Sequence, residues 1–347
     1  MPIDAIACER QFIDHAAPVW RALPDWLRGR FLTDQALVDH ARSRGVEAEA
    51  IDAETLRRSS RPPMANLGPG PAAFVTSIGD TKIARRLGYR RFAFLEHGAG
   101  QAYKGENSVA AKNPSYAGGM DREDTELFLV PNEYSADLWR TAYPAARVEV
   151  VGCPKLDELP RREPGPGPLV AITFHWPAFV APEADTALGH YWKVMPELAK
   201  TFTVIGTAHP KGDWPDRMAR YYRRWGIEFV ADFEEVCHRS DLLIFDNTSA
   251  GFEFAATGRP VVVLNSPKYR RKVHHGGRFW DWATVGIQVD HPDQLAETVQ
   301  DALSDPPEVR MARETTLDLI YAHRADAARR AANALASWAE SEVVRAA

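Results

Sequence analysis

Cysteine is scarce: Cys8, Cys153 and Cys237 are the only three in 347 residues. They are odd in number, far apart and without a CxxC pair, which excludes a recognisable disulfide framework or zinc-site pattern. Reduced thiols in a cytoplasmic protein are the expected state. No apolar run approaches the roughly 20 residues that span a bilayer. The opening MPIDAIACERQFIDH carries charge too early for a secretory signal, so a cytoplasmic location is expected. Charge of one sign is not in excess either: 42 Lys and Arg stand against 47 Asp and Glu, a formal net charge of −5. That balance argues against a nucleic-acid grip or a polybasic membrane patch. Missing motifs narrow the field further. Without GxxxxGK[ST] a P-loop enzyme is excluded, and without GxSxG so is a nucleophile-elbow hydrolase. There is no HExxH, and no Asp-x-Asp pair for a divalent ion, so no metal and no tightly bound cofactor is expected.

What is present reads as two α/β domains. The length favours two domains, and 45% apolar with 26% charged residues describes a globular chain. The first thirty residues mix aromatic and basic side chains and read as a leading helix docked on the first domain, interrupted by Pro18 and Pro24. Short apolar strands then alternate with helices: Arg30–Thr33, a helix at Asp34–Arg44 capped by Asp34, a strand at 46–51, Ala72–Ser77, a helix at Ile78–Leu87, Arg91–Glu96, Glu126–Val130, a helix at Ser135–Ala142, and Arg147–Val151. PRREPGPGP at 160–168 is a linker by composition. The expected domains are therefore 1–159 and 169–347. The alternation restarts with strands at Leu169–Phe174, Phe202–Ala208, Ile227–Val230, Asp241–Phe245, Pro260–Leu264 and Gly286–Val289. A helical tail follows, able to pack back on the first domain. Buried strands alternating with helices imply parallel sheets.

Ligands of open α/β sheets bind at the carboxyl ends of the strands, and there the chain is unusually polar. Asp246, Asn247, Thr248 and Ser249 pass from a strand into a helix carrying Glu253. Unpaired N–H groups and the helix dipole suit such a turn to phosphate; plain N-capping is the alternative. His97 follows a strand in EHGAGQAYKG, where Gly98 and Gly100 allow close backbone approach. A histidine there suits general-base work, with Glu96 or another carboxylate to orient it. Ser77, Asp80 and Gln101 complete the expected acceptor side. His175, with Trp176, and His209 and Lys211 are the second-domain counterparts for donor phosphates. Arg271, in the basic run YRRKVHH, is a weaker candidate to close over an anionic donor.

VTSIGD at 75–80, EHGAGQAYKG at 96–105, VGCPKLD at 151–157, AHPK at 208–211 and DLLIFDNTSAGFEFAATGRPVVVL at 241–264 together resemble the CDP-glycerol glycerophosphotransferase family. The resemblance implies the GT-B fold, two Rossmann-like domains with parallel sheets facing across a cleft. It implies a nucleotide-activated donor (UDP, CDP or another) on the second domain, with Thr248 and Ser249 at its phosphate and Glu253 at its ribose. His97 would be the base, and His209 would assist at the donor phosphates. The family often has Tyr where Asn247 stands, and the loop after His97 differs, so a sugar is as plausible a cargo as glycerol phosphate. The expected activity is metal-independent transfer of a sugar or polyol phosphate to an acceptor hydroxyl, with domain closure about 160–168. Three alternatives stay open. One is a hydrolysing nucleotide-sugar 2-epimerase using Asp80, Glu96 and Asp121. Another is a phage-type glycosyltransferase of hydroxymethylated DNA gripping through Arg85, Arg86, Arg90 and Arg91. The last is an inactive nucleotide-binding relative.

Overall fold

The structure, a computed structural model, describes residues 2–58, 72–98, 122–159, 167–177, 186–267 and 283–346. It divides into two compact units: Met1–His97 with Tyr116–Glu158 and Tyr321–Ala347, and Gly98–Ser115 with Leu159–Ile320.

The first unit holds strands β1 (Ile3–Ile6), β2 (Arg28–Asp34), β3 (Glu49–Ile51), β4 (Ala72–Val75), β5 (Arg91–Leu95), β6 (Thr125–Val130) and β7 (Arg147–Val150). Helices α1 (Arg10–Ala22), α2 (Val38–Ser43), α3 (Ala53–Arg58), α4 (Ile78–Arg86) and α5 (Glu133–Ala142) intervene. The strands form one sheet in the order β3-β2-β1-β4-β5-β6-β7, every neighbour parallel. β1 thus lies beside the central β4, where the order reverses. It is absent from the sequence reading because Asp4 interrupts its four residues. The fold satisfies that buried carboxylate with the Arg30 backbone N–H at 2.6 Å, the Arg30 guanidinium at 2.8 Å and the Tyr89 hydroxyl. α1 runs through Pro18 without breaking, contrary to the interruption expected there. One lost N–H is offset by a face of Phe12, Ile13, Ala16, Val19 and Trp20 packed in the core.

Strand alternation divides this core. Ala93, Leu95, Leu127 and Leu129 face α1, whereas Phe92, Phe94, Phe128 and Val130 face α5. On the α5 side Trp139 stacks on Phe128, ring centroids 4.4 Å apart, and each such buried ring contributes roughly 2 kcal/mol.

The second unit holds β8 (Leu169–Phe174), α6 (Leu188–Tyr191), α7 (Met195–Thr201), β9 (Thr203–Ala208), α8 (Trp214–Arg224), β10 (Glu228–Phe229), α9 (Phe233–Arg239), β11 (Leu242–Phe245), α10 (Ala250–Ala255), β12 (Val261–Leu264), β13 (Ile287–Val289), α11 (Leu295–Leu303) and α12 (Pro307–Ile320). Its sheet runs β10-β9-β8-β11-β12-β13, again all parallel. This is the doubly wound dinucleotide-type order, reversing between β8 and β11.

The helical tail is two helices, α12 and α13 (Ala327–Ala346), separated at Tyr321–Asp326. α13 belongs to the first unit. Asp157 accepts from the N–H groups of Ala327 (3.2 Å) and Ala328 (2.7 Å) at its start, and the Trp338 indole donates to Glu126 at 2.8 Å.

Gly206, in β9, lies close against α8. A Cβ there falls 2.5 Å from the Tyr222 ring, and that ring cannot yield, because its hydroxyl donates to the Ile172 and Thr207 carbonyls. Gly206→Ala is expected to lower stability by about 1–3 kcal/mol, read as a lower urea midpoint at unchanged slope.

Candidate functional site

At the reversal point of the first sheet, β4 ends in Thr76 and Ser77 and α4 begins. Ser77 is the N-cap, its hydroxyl accepting the Asp80 N–H at 3.0 Å. The Asp80 carboxylate, fully buried, accepts from the hydroxyls of Ser77 (2.9 Å) and Thr76 (3.3 Å) and from the Cys8 N–H (3.1 Å) just beyond β1. One carboxylate therefore ties the ends of β1 and β4 together. Burial pushes its pKa up to about 7, against the pull of the Ser77 and Cys8 hydrogen bonds.

His97 follows β5 and is half-buried. Its Nδ1 lies 2.6 Å from the Thr76 carbonyl oxygen. A carbonyl only accepts, so Nδ1 carries the proton and Nε2 the lone pair. No hydrogen bond among the described residues engages Nε2. Phe12 packs edge-on at 4.5 Å between ring centroids and His15 at 6.3 Å, both from α1. Burial is the largest cause that lowers the His97 pKa to about 4, with the His15 charge next; the Thr76 bond and Glu9 pull the other way. The imidazole is neutral at pH 7.

Glu96 does not orient His97, which corrects the sequence expectation. Adjacent strand residues point to opposite sheet faces. Glu96 lies on the α5 side, accepting from the Trp139 indole (2.9 Å) and the Ser135 hydroxyl (3.3 Å), whereas His97 lies on the α1 side. Its partner is a backbone carbonyl, and its walls are Phe12 and His15. These went unrecognised because β1 was missed, and with it the rule that a helix following a central strand begins beside the ligand position. Gly98 has φ +76°, a backbone that favours glycine. Gly100, Gln101, Asp121 and Arg271 lie outside the described residues.

The second sheet repeats the device. Asp246, fully buried after β11, accepts from the His175 N–H (2.8 Å) after β8, the Ala187 N–H (3.0 Å) and the Thr186 hydroxyl (3.4 Å). Burial raises its pKa to about 6 against these bonds. Its oxygens face donors of the fold, so Asp246 sets the position of the strand ends. His175, Trp176 and His209 gather at the carboxyl ends of β8 and β9, with His175–His209 centroids 5.7 Å apart and Trp176–His209 6.3 Å. Lys211 is exposed, its N–H donating to the His209 carbonyl at 2.8 Å. Asn247, Thr248 and Glu253 are buried and Ser249 half-buried. Capping does not account for the hydroxyls: Ser249 is the N-cap of α10, yet its side chain makes no capping bond. No hydrogen bond among the described residues holds either hydroxyl of Thr248 and Ser249. Among the described residues no group of three or more His, Cys, Asp or Glu is placed to hold a metal ion.

No family model and no curated protein matches this chain. Solved structures do. The wall teichoic acid polymerase TagF aligns over 99% of this chain and 90% of its own with TM-score 0.63 and 11% identity. A UDP-GlcNAc 2-epimerase from Neisseria meningitidis, bound to UDP-GlcNAc, aligns over 97% and 99% with TM-score 0.59 and 14% identity. A further UDP-N-acetylglucosamine 2-epimerase covers 95% and 94% with TM-score 0.62 and 15% identity. The chain has the GT-B fold. At these identities the likeness establishes the fold alone, shared by transferring and epimerising enzymes.

The Thr76 bond makes a direct prediction. In a nitrogen-15 NMR titration His97 should appear as the Nδ1–H tautomer and titrate near pH 4. A folded pKa below that of the unfolded chain means stability from this group is present above about pH 6.5 and lost as pH falls towards 4. His97→Asn should flatten that acid-side loss in pH-dependent melts.

Proposed function

We propose that this GT-B protein transfers a sugar or polyol-phosphate group from a nucleotide-activated donor to an acceptor hydroxyl, with His97 as general base. The observation that carries the reading is the His97 imidazole: neutral, held in one tautomer by the Thr76 carbonyl, with Nε2 unengaged among the described residues. The acceptor O–H proton passes to Nε2 as the acceptor oxygen bonds to the anomeric carbon of a nucleotide sugar, or to phosphorus of a CDP-glycerol-type donor. The bond to the nucleotide breaks, and the nucleotide leaves with the electron pair. The hydroxyls of Thr248 and Ser249, unengaged among the described residues, hold the donor phosphates. His175, His209 and Lys211 meet the charge that develops on the leaving group, in place of a metal ion. Glu253 takes the ribose. Ser77 and Asp80 serve the acceptor side by fixing the strand end that carries the Thr76 carbonyl.

The epimerase reading is favoured by the same structural neighbours, but it requires acid and base carboxylates. Of its candidates, Asp80 and Glu96 are both buried and committed to hydrogen bonds within the fold, and Asp121 lies outside the described residues.

A thermal-shift screen of UDP, CDP, GDP and TDP and their sugar or polyol conjugates should raise the melting temperature for one base class. With that donor, His97→Ala should cut transfer by roughly 10²–10⁴-fold while calorimetric nucleotide affinity stays near wild type. Thr248→Val with Ser249→Ala should instead weaken nucleotide binding, and EDTA should leave the rate unchanged. Donor consumption with no acceptor present decides for epimerisation. Retained turnover in His97→Ala rejects the base assignment.

A further inference from the structure

Helix α8 carries Arg217, Arg220, Arg223 and Arg224, and no ion pair or side-chain hydrogen bond engages any of them among the described residues. Arg217 lies over the Trp214 ring at 5.2 Å, while Arg220, Arg223 and Arg224 are exposed. Several exposed arginines elsewhere meet carboxylates: Arg42 with Asp39, Arg58 with Glu54, Arg140 with Glu133 and Asp137, Arg329 with Asp326.

At 3.6 residues per turn, Arg217, Arg220 and Arg224 share one face and form a row about 10 Å long. The helix buries its other side, Trp214, Met218 and Tyr222, against the sheet. The row is therefore held on a rigid support. The negative end of the helix dipole accounts for a cation in the last turn, at Arg223 or Arg224, but not for Arg217 and Arg220. Asp213 and Asp216 lie one turn before Arg217 and Arg220 on the same helix surface but form no ion pair with them among the described residues.

Beside the row lies an aromatic cluster. Trp192 packs edge-on against Tyr221 (4.6 Å) and Trp225 (4.7 Å), and Trp192 and Tyr221 remain partly exposed, with Lys193 exposed next to them. Amphipathic rings next to unpaired arginines suit the boundary between water and lipid headgroups. A straight row of cations matches a planar array of phosphates better than a single anion.

We infer that the α8 face, centred on Arg217, Arg220 and Arg224, docks this protein peripherally on an anionic phospholipid surface. The inference is independent of the proposed chemistry.

The test is co-sedimentation of the full chain with vesicles of phosphatidylcholine alone or mixed with phosphatidylglycerol, at low and high salt. Wild type should bind the mixed vesicles selectively and lose binding as salt rises. Arg220→Glu with Arg224→Glu should weaken that binding by on the order of tenfold or more, with unchanged melting temperature and nucleotide affinity. Arg217→Gln with Arg220→Gln, a milder pair, should weaken it less and guards against misfolding. Equal binding to both vesicle types overturns the inference. So does undiminished binding by both variants, or displacement of the wild type from mixed vesicles by a single-stranded oligonucleotide.

Discussion

Two buried carboxylates hold the functional ends of this fold in place. Parallel strands meet at a reversal point without any direct connection there, and their backbone N–H groups emerge into the space a ligand would occupy. Asp80 closes that point in the first sheet by accepting from the N–H after β1 and two hydroxyls after β4. Asp246 closes it in the second by accepting from the N–H after β8 and from the segment entering α6. In both, burial opposes the charge and hydrogen bonds favour it, leaving the carboxyls well above their ordinary range. Such groups are tolerated in a core only when their oxygens are met by donors.

The candidate site residues hang from these clamps. In the first unit the clamp positions Thr76, whose carbonyl fixes the His97 tautomer. In the second it positions His175, whose ring joins His209 and Trp176. The proposed chemistry rests one bond further out: a carbonyl that only accepts leaves the lone pair on Nε2, and the Ser249 side chain makes no capping bond. The same device, used twice, fixes the strand ends in two Rossmann-like halves of different sequence.

Likeness to GT-B enzymes at 11–15% identity fits this division of labour. Strand order and reversal points depend on burial patterns that many sequences satisfy. Cargo and acceptor depend on a few side chains around them.

Local residue patterns were enough for the two alternating α/β halves, most strand positions and the polar strand ends. Period-2 and period-3.6 patterns are local, and residues such as Phe92, Phe94, Leu242 and Ile244 carry them plainly. The sequence also marked His97, Thr248 and Ser249, because polar residues directly after apolar strands are conspicuous. What each of these touches follows from the fold. β1 was hidden because Asp4 reads as surface until Arg30 and Tyr89, distant in the chain, arrive to satisfy it. Glu96 and His97 are neighbours in sequence but lie on opposite sheet faces. The unpaired arginines of α8 vanish in a net charge of −5, since composition averages over a surface that folding makes uneven. Contacts between residues far apart along the chain have no local signature, and those contacts set tautomer, burial and charge.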